Sequence, residues 1–301
     1  MGAKTMHTSA MIINTVAISF PLISMLFYSR LLLMLFWYKS LKKAPELHLF
    51  YCRFVLDWAI SVISFIKMII YGLSMTNLYD FFIFNHWLTF MFVWPVCSLS
   101  NLRAILVFLI ALDRTCAAYL PLFFFKHRKL LPTFIIILFV LSYSFIDAFV
   151  VFELCKISLS TPTTCIGAQC INGTCYHTYW LTFTKIFYAL IISLTIMLCL
   201  KIFFWDKFKK QNVNGDLRRA NRLALIEAFI IVVFNFIPPI LNTFYANYFE
   251  YVGAMNTVCQ TLGFVVESWL TTINLHLKFR TDGVTSARKS MYPSATTEHR
   301  K

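Results

Sequence analysis

The sequence predicts an all-α membrane protein: a seven-transmembrane helix bundle with its N-terminus outside and its C-terminus in the cytoplasm. Three observations carry this prediction. First, of 301 residues, 59% are hydrophobic and only 13% are charged, which leaves too few polar side chains to cover a soluble domain. Second, apolar runs occur near 11–37, 49–74, 87–111, 131–152, 178–204, 223–246 and 252–276. Each is long enough to cross a hydrocarbon core of roughly 30 Å as a helix at about 1.5 Å per residue. Each is also about twice the length of a barrel strand and lacks period-two alternation. Third, lysine and arginine alternate sides. Nineteen lie in the segments assigned to the cytoplasm, whereas only Lys4 and Lys156 lie in those assigned to the outside, and cationic loops stay on the cytoplasmic side. The net charge of +14 is therefore a topology signal and not a nucleic-acid footprint. One domain is expected over 1–277, followed by a polar, disordered cytoplasmic tail over 278–301.

The first apolar run is too long for the core of a signal peptide and is read as an uncleaved first helix. The second carries Arg53, Asp57, Ser64, Lys67 and Tyr71 along one face, and Arg53 and Asp57, four apart, can pair. A charge at the centre of a bilayer costs roughly 2.5–3.5 kcal/mol on insertion scales, so these side chains are expected to face the bundle interior. They serve either a helix-packing network or a ligand. The third run carries Arg103, eleven residues before Arg114, on the same face and about 16 Å deeper. Its expected partners are acids at similar depth, Asp57 and Glu267, with Arg53, a proton or a cation completing the balance. In the seventh run Asn256, Gln260, Glu267 and Asn274 fall within about 40° of one another, a polar stripe expected to face inward.

Between the fourth and fifth runs the segment from Glu153 to Tyr179 carries Cys155, Cys165, Cys170 and Cys175. Four cysteines on an oxidising face predict two disulfides within this outer loop, with three connectivities open. Their spacing is not that of a zinc site. Asn172-Gly173-Thr174 fits an N-glycosylation sequon. The other cysteines lie in apolar helices as inert thiols.

The remaining intramembrane charges lie in the outer half: Lys67, Lys185 and, near the top of the fourth helix, Asp147. Trp94 and Tyr188 add apolar wall at that level, and Phe236 and Asn242 can close it from the sixth helix, where Pro238 kinks the chain. Two cations against one anion favour a ligand bearing a carboxylate or similar acceptor. The alternative is that both lysines snorkel to the outer headgroups.

At the inner end of the third run stands Asp113-Arg114, with Tyr119 and Pro121 following. The acid, the arginine and a proline eight positions after Asp113 resemble the Asp-Arg-Tyr…Pro-Leu signature of G-protein-coupled receptors, with Thr115 in place of the aromatic. The seventh run lacks the usual Asn-Pro…Tyr ending and has Thr271-Thr272-Ile273-Asn274-Leu275-His276 instead. Across nearly its whole length the chain resembles the nematode serpentine chemoreceptors, class BC (Srbc) most closely. The residues that carry this are Leu112-Asp113-Arg114 with Ala118-Tyr119-Leu120-Pro121, Phe50-Tyr51 with Arg53 and Leu56-Asp57, and Ala220-Asn221-Arg222-Leu223-Ala224-Leu225.

The resemblance implies a chemosensory receptor in the plasma membrane, at the cilium of a sensory neuron, that binds a small molecule and activates a heterotrimeric G protein. Asp113, Arg114, Tyr119 and Pro121 would form the coupling face. The basic connection containing Arg218, Arg219 and Arg222 serves either as a docking surface or as a topology anchor. The expected partners are that G protein, the ligand and membrane lipids, with a receptor dimer left open. No cofactor, metal or nucleic acid is implied. The alternative reading, a multi-pass transporter or channel, lacks its usual internal repeat, since residues 11–111 and 178–276 do not match. Catalysis is not expected, because the chain carries neither a His-Glu-x-x-His pattern nor a nucleophile motif.

Overall fold

The computed structural model describes residues 2–37, 48–74, 79–121, 124, 133–157, 168–208, 215–238, 240 and 257–273. The described residues are helical almost throughout. Helix α1 runs Gly2–Leu32 and continues through a π-helical turn, Leu33–Trp37. It is followed by α2 (His48–Ser74), the short α3 (Tyr79–Phe84) and α4 (His86–Tyr119). Helix α5 (Thr133–Phe149) ends in a π turn, Val150–Leu154. Helix α6 is Ala168–Phe208, α7 is Gly215–Ile230 with a π turn over Ile231–Phe236, and α8 covers residues 257–273.

Among the described residues, five helices are long and apolar enough to cross a membrane: those within Asn14–Trp37, His48–Ser74, His86–Tyr119, Thr133–Leu154 and Ile171–Lys201. Helix α4 is the central one. Its apolar window is 72% buried against 22–39% for the other four, so α4 is walled by protein where its neighbours show a face to the surroundings. On α5 that face is continuous, with Phe134, Leu138, Phe139, Leu141, Phe145 and Phe149 all exposed. Such a surface suits hydrocarbon and would be an aggregation liability in water.

The main core packs Tyr28, Leu31 and Leu35 of α1 against Phe50, Phe54 and Ile60 of α2, Leu102, Leu106 and Ile110 of α4, and Phe264 of α8. A second cluster joins Phe90, Val93 and Cys97 of α4 to Val150, Val151, Ile171 and Tyr176. Helices α7 and α8 approach closely. A Cβ built on Gly263 would stand 2.9 Å from Phe234 Cβ, so glycine is what lets the two backbones lie this near.

Four elements differ from the sequence expectation: α1 and α7 begin at Gly2 and Gly215, nine and eight residues before their apolar runs, and α4 and α6 differ as follows. Helix α6 begins ten residues before the apolar run, so residues 168–178 are helical and not part of the outer loop. Gly173 breaks this stretch at φ 69° and ψ 154°, a conformation open to glycine alone at little cost. Helix α4 in turn continues eight residues past the apolar run, to Tyr119. Near Pro238, α7 widens: the Ile237 N–H reaches back five residues to the Val232 carbonyl. Proline offers no N–H to the carbonyl four residues earlier and crowds it, and a wider turn relieves both problems.

Candidate functional site

Three polar sites lie along the bundle. The deepest brings Arg53 and Asp57 of α2, Arg103 of α4 and Glu267 of α8 together, all at most 2% exposed. Arg53 Nε meets Asp57 Oδ2 at 3.0 Å, and Arg103 Nε meets Asp57 Oδ1 at 2.7 Å. Arg103 Nη2 lies 2.8 Å from Glu267 Oε2, and Arg53 Nη2 closes on Glu267 Oε1. Each of these two acids therefore bridges both guanidiniums with separate oxygens, the fork geometry that compensates a buried charge best. Arg103 also stands over the Phe264 ring, 4.9 Å from its centroid.

Two further members were not expected from the sequence. The Tyr28 hydroxyl donates to Asp57 Oδ2 at 3.3 Å, and Glu227 of α7 places Oε2 2.7 Å from Arg53 Nη1. Glu227 lies in the fifth position of a run read from residue 223, so it passed as part of the polar rim. The signal that could have found it is an acid flanked by Leu223, Ala224, Leu225, Ile226, Ala228 and Phe229.

Above this cluster, near the outer end of α5, Asp147 is fully buried. It accepts from Trp94 Nε1 at 3.2 Å, from Asn101 Nδ2 at 3.4 Å and from the Tyr176 hydroxyl at 3.0 Å. The Tyr143 and Tyr179 hydroxyls pair beside it, and Asn101 Nδ2 also reaches the Tyr143 oxygen. In this structure Asp147 and Trp94, expected in the ligand pocket, tie α5 to α4 and α6, and Trp94 stacks on Phe90. Lys67 lies near Cys97 and likewise apart from the cavity described next.

That cavity, of about 50 Å³, is lined by Ser100 of α4, Trp180, Thr184, Lys185 and Tyr188 of α6, Phe234, Asn235 and Phe236 of α7, and Gln260 of α8. Lys185, Tyr188 and Phe236 thus meet at one place, while Asn242 lies outside the described residues. Asn235 is 6% exposed, and neither its Nδ2 nor Trp180 Nε1 has a hydrogen-bond partner. The described lining residues include no carboxylate. A volume of about 50 Å³ holds three or four waters at roughly one per 10–15 Å³, which matches a very small molecule or the polar head of a larger one. A second pocket of about 260 Å³, lined by Ile105, Phe108, Phe139, Tyr143, Phe183 and Phe187 among others, is almost wholly apolar.

At the inner end of α4, Arg114 is 2% exposed and folded onto Asp113, with Nε 3.0 Å from Oδ2. Thr115 donates to the Ala111 and Leu194 carbonyls, and the Tyr119 hydroxyl to the Met197 carbonyl at 2.9 Å. Lys201 stands 5.1 Å over the Tyr119 ring. These contacts fasten the inner ends of α4 and α6 together. Pro121 is exposed just beyond, and so is Arg222 on α7. The side chains of Arg218 and Arg219 lie outside the described residues.

On the outer side a disulfide joins Cys155 and Cys175. Of the three pairings open to four cysteines, only the one that also joins Cys165 to Cys170 contains this bond. Cys165 and the Cys170 side chain lie outside the described residues. Asn172, expected to carry a glycan, is instead 1% exposed, and its Nδ2 points to Cys97 Sγ at 3.6 Å. In this conformation a glycan on that nitrogen would have to pass through the α4 wall. The early start of α6 turns it inward.

A charged seam at mid-depth, a small donor-lined cavity above it and an acid-arginine pair below it form a vertical arrangement on one central helix. The family model described as serpentine type 7TM GPCR chemoreceptor Srbc matches residues 6–278. No curated protein and no solved structure matches the chain. With a match over far more than half of its length, the chain belongs to the Srbc family of serpentine seven-transmembrane G-protein-coupled chemoreceptors.

Proposed function

We propose that this chemoreceptor takes a small molecule bearing a hydrogen-bond acceptor, a carboxylate above all, into the cavity between α4, α6, α7 and α8, and couples its binding to a heterotrimeric G protein through Arg114. The observation that carries the reading is the cavity wall. Lys185 supplies a cation, Asn235 and Trp180 supply N–H groups that no protein atom engages among the described residues, and no acid is present among the described lining residues. A ligand that brings an acceptor matches these donors. Tyr188 links the two levels, since it lines the cavity and lies beside Arg103 of the charged seam.

In this reading residues 223–246 and 252–276 complete seven spans, and the N-terminus faces outward. The excess of lysine and arginine in alternate connections supports this orientation. The receptor is a multi-pass membrane protein, and its working place is the ciliary membrane of a sensory neuron. The test is a G-protein readout in cells expressing the receptor, with small carboxylic acids and their neutral amides as probes. Lys185→Gln raises the half-maximal concentration of an active acid about tenfold or more, in line with roughly 1.5–3 kcal/mol for a charged hydrogen bond. An unchanged dose response at equal surface expression leaves Lys185 a headgroup anchor and removes the ligand site from this cavity.

A further inference from the structure

We infer that the buried ion cluster is a binding site for one proton, held on Glu227, and that Glu227 is for this reason the one member able to leave the cluster. The charge count sets the requirement. Arg53 and Arg103 supply two positive charges, whereas Asp57, Glu267 and Glu227 supply three negative ones if all are ionised. Among the described residues, every other titratable group facing the cluster is a phenol: Tyr28 from α1 and Tyr188 from α6. One uncompensated charge at a buried position is far more costly than a neutral acid.

The geometry chooses the carrier. Asp57 and Glu267 each spend both oxygens on both arginines, so a proton on either displaces an ion pair. Glu227 approaches Arg53 with Oε2 alone, 2.7 Å from Nη1, and both of its oxygens are buried with no hydrogen-bond partner among the described residues. A proton on Oε1 leaves the contact between Arg53 and Oε2 in place. What remains, two arginines and two carboxylates on α2, α4 and α8, is neutral and closed on itself. Helix α7 is therefore attached to that core through a neutral acid and a single contact. Its separation from α2 breaks that contact and does not pull apart two unscreened charges.

The experiment uses the purified full-length receptor in lipid nanodiscs at neutral pH and does not depend on the ligand proposed above. The infrared difference between wild type and Glu227→Gln is expected to contain the carbonyl stretch of one protonated carboxylic acid, and the variant is expected to melt with the wild type because the amide retains the neutral contact with Arg53. Glu227→Asp, for use if the glutamine variant does not fold, shifts that band instead of removing it. A band absent from the wild type, or present and unaltered in both variants, overturns the assignment. Replacing choline chloride with sodium chloride at equal ionic strength is expected to leave the melting temperature unchanged. A rise specific to sodium would place a metal cation where the proton is assigned.

Discussion

Glu267 is the residue on which most of the buried charge turns, since one carboxylate satisfies Arg103 and Arg53 together. Removing one partner of a buried ion pair typically costs about 3–5 kcal/mol, most of it the charge left behind. Glu267→Ala leaves Arg53 and Arg103 sharing Asp57, with one positive charge in excess when Glu227 is neutral, so thermal unfolding in detergent should show a loss within that range or a failure to fold. A loss below about 1 kcal/mol, the scale of an exposed pair, would contradict the burial assigned to it. Arg53, Asp57, Arg103 and Glu267 were legible in the sequence because a charge inside a long apolar run has few places to go other than another charge. Glu227 was not, because its position near the start of its run made it look like a rim residue. Asp147 and Trp94 were read as ligand contacts for the same reason that made the cluster legible. What the sequence could not convey is that Tyr176 and Asn101 are also placed to bond Asp147.

Among the elements, α7 meets the ion cluster and the cavity together. It carries a π turn ahead of Pro238, touches the ion cluster with a single oxygen, and presents Phe234, Asn235 and Phe236 to the cavity. Its packing on α8 depends on Gly263, where an added methyl group would meet Phe234 Cβ, an atom tied closely to its backbone. Gly263→Ala should destabilise the receptor by about 1–3 kcal/mol, the usual range for overpacking. Gly72→Ala serves as the comparison: there the nearest atom, 2.6 Å away, is Asn14 Nδ2 at the end of a side chain that can turn aside. Equal losses in the two variants would contradict the close α7–α8 contact. The positions of the long helices were readable from apolar run length, but α1, α4, α6 and α7 extend beyond their runs, because helical hydrogen bonding does not stop where the side chains become polar. Gly173 alone gave no sign that the outer cysteine segment would be helical on both sides of it.

At the scale of the molecule, the cavity, the charged seam and the acid-arginine pair are stacked along α4. This helix contributes Ser100 to the first, Arg103 to the second and Arg114 to the third. Arg114 is buried and folded onto Asp113, and Nη1 has no partner among the described residues, so in this conformation the guanidinium is withheld from the surface at that end of the bundle. The function proposed above has a ligand in the cavity shift α7 relative to α4 and free this arginine. The most direct measurement is G-protein activation by the wild type and by Arg114→Ala, at matched surface expression, against the carboxylic acid probes. The predicted result is a dose-dependent response in the wild type and none above background in Arg114→Ala. A response of equal size in the variant would contradict the assignment of Arg114 as the coupling residue, and with it the path from cavity to G protein.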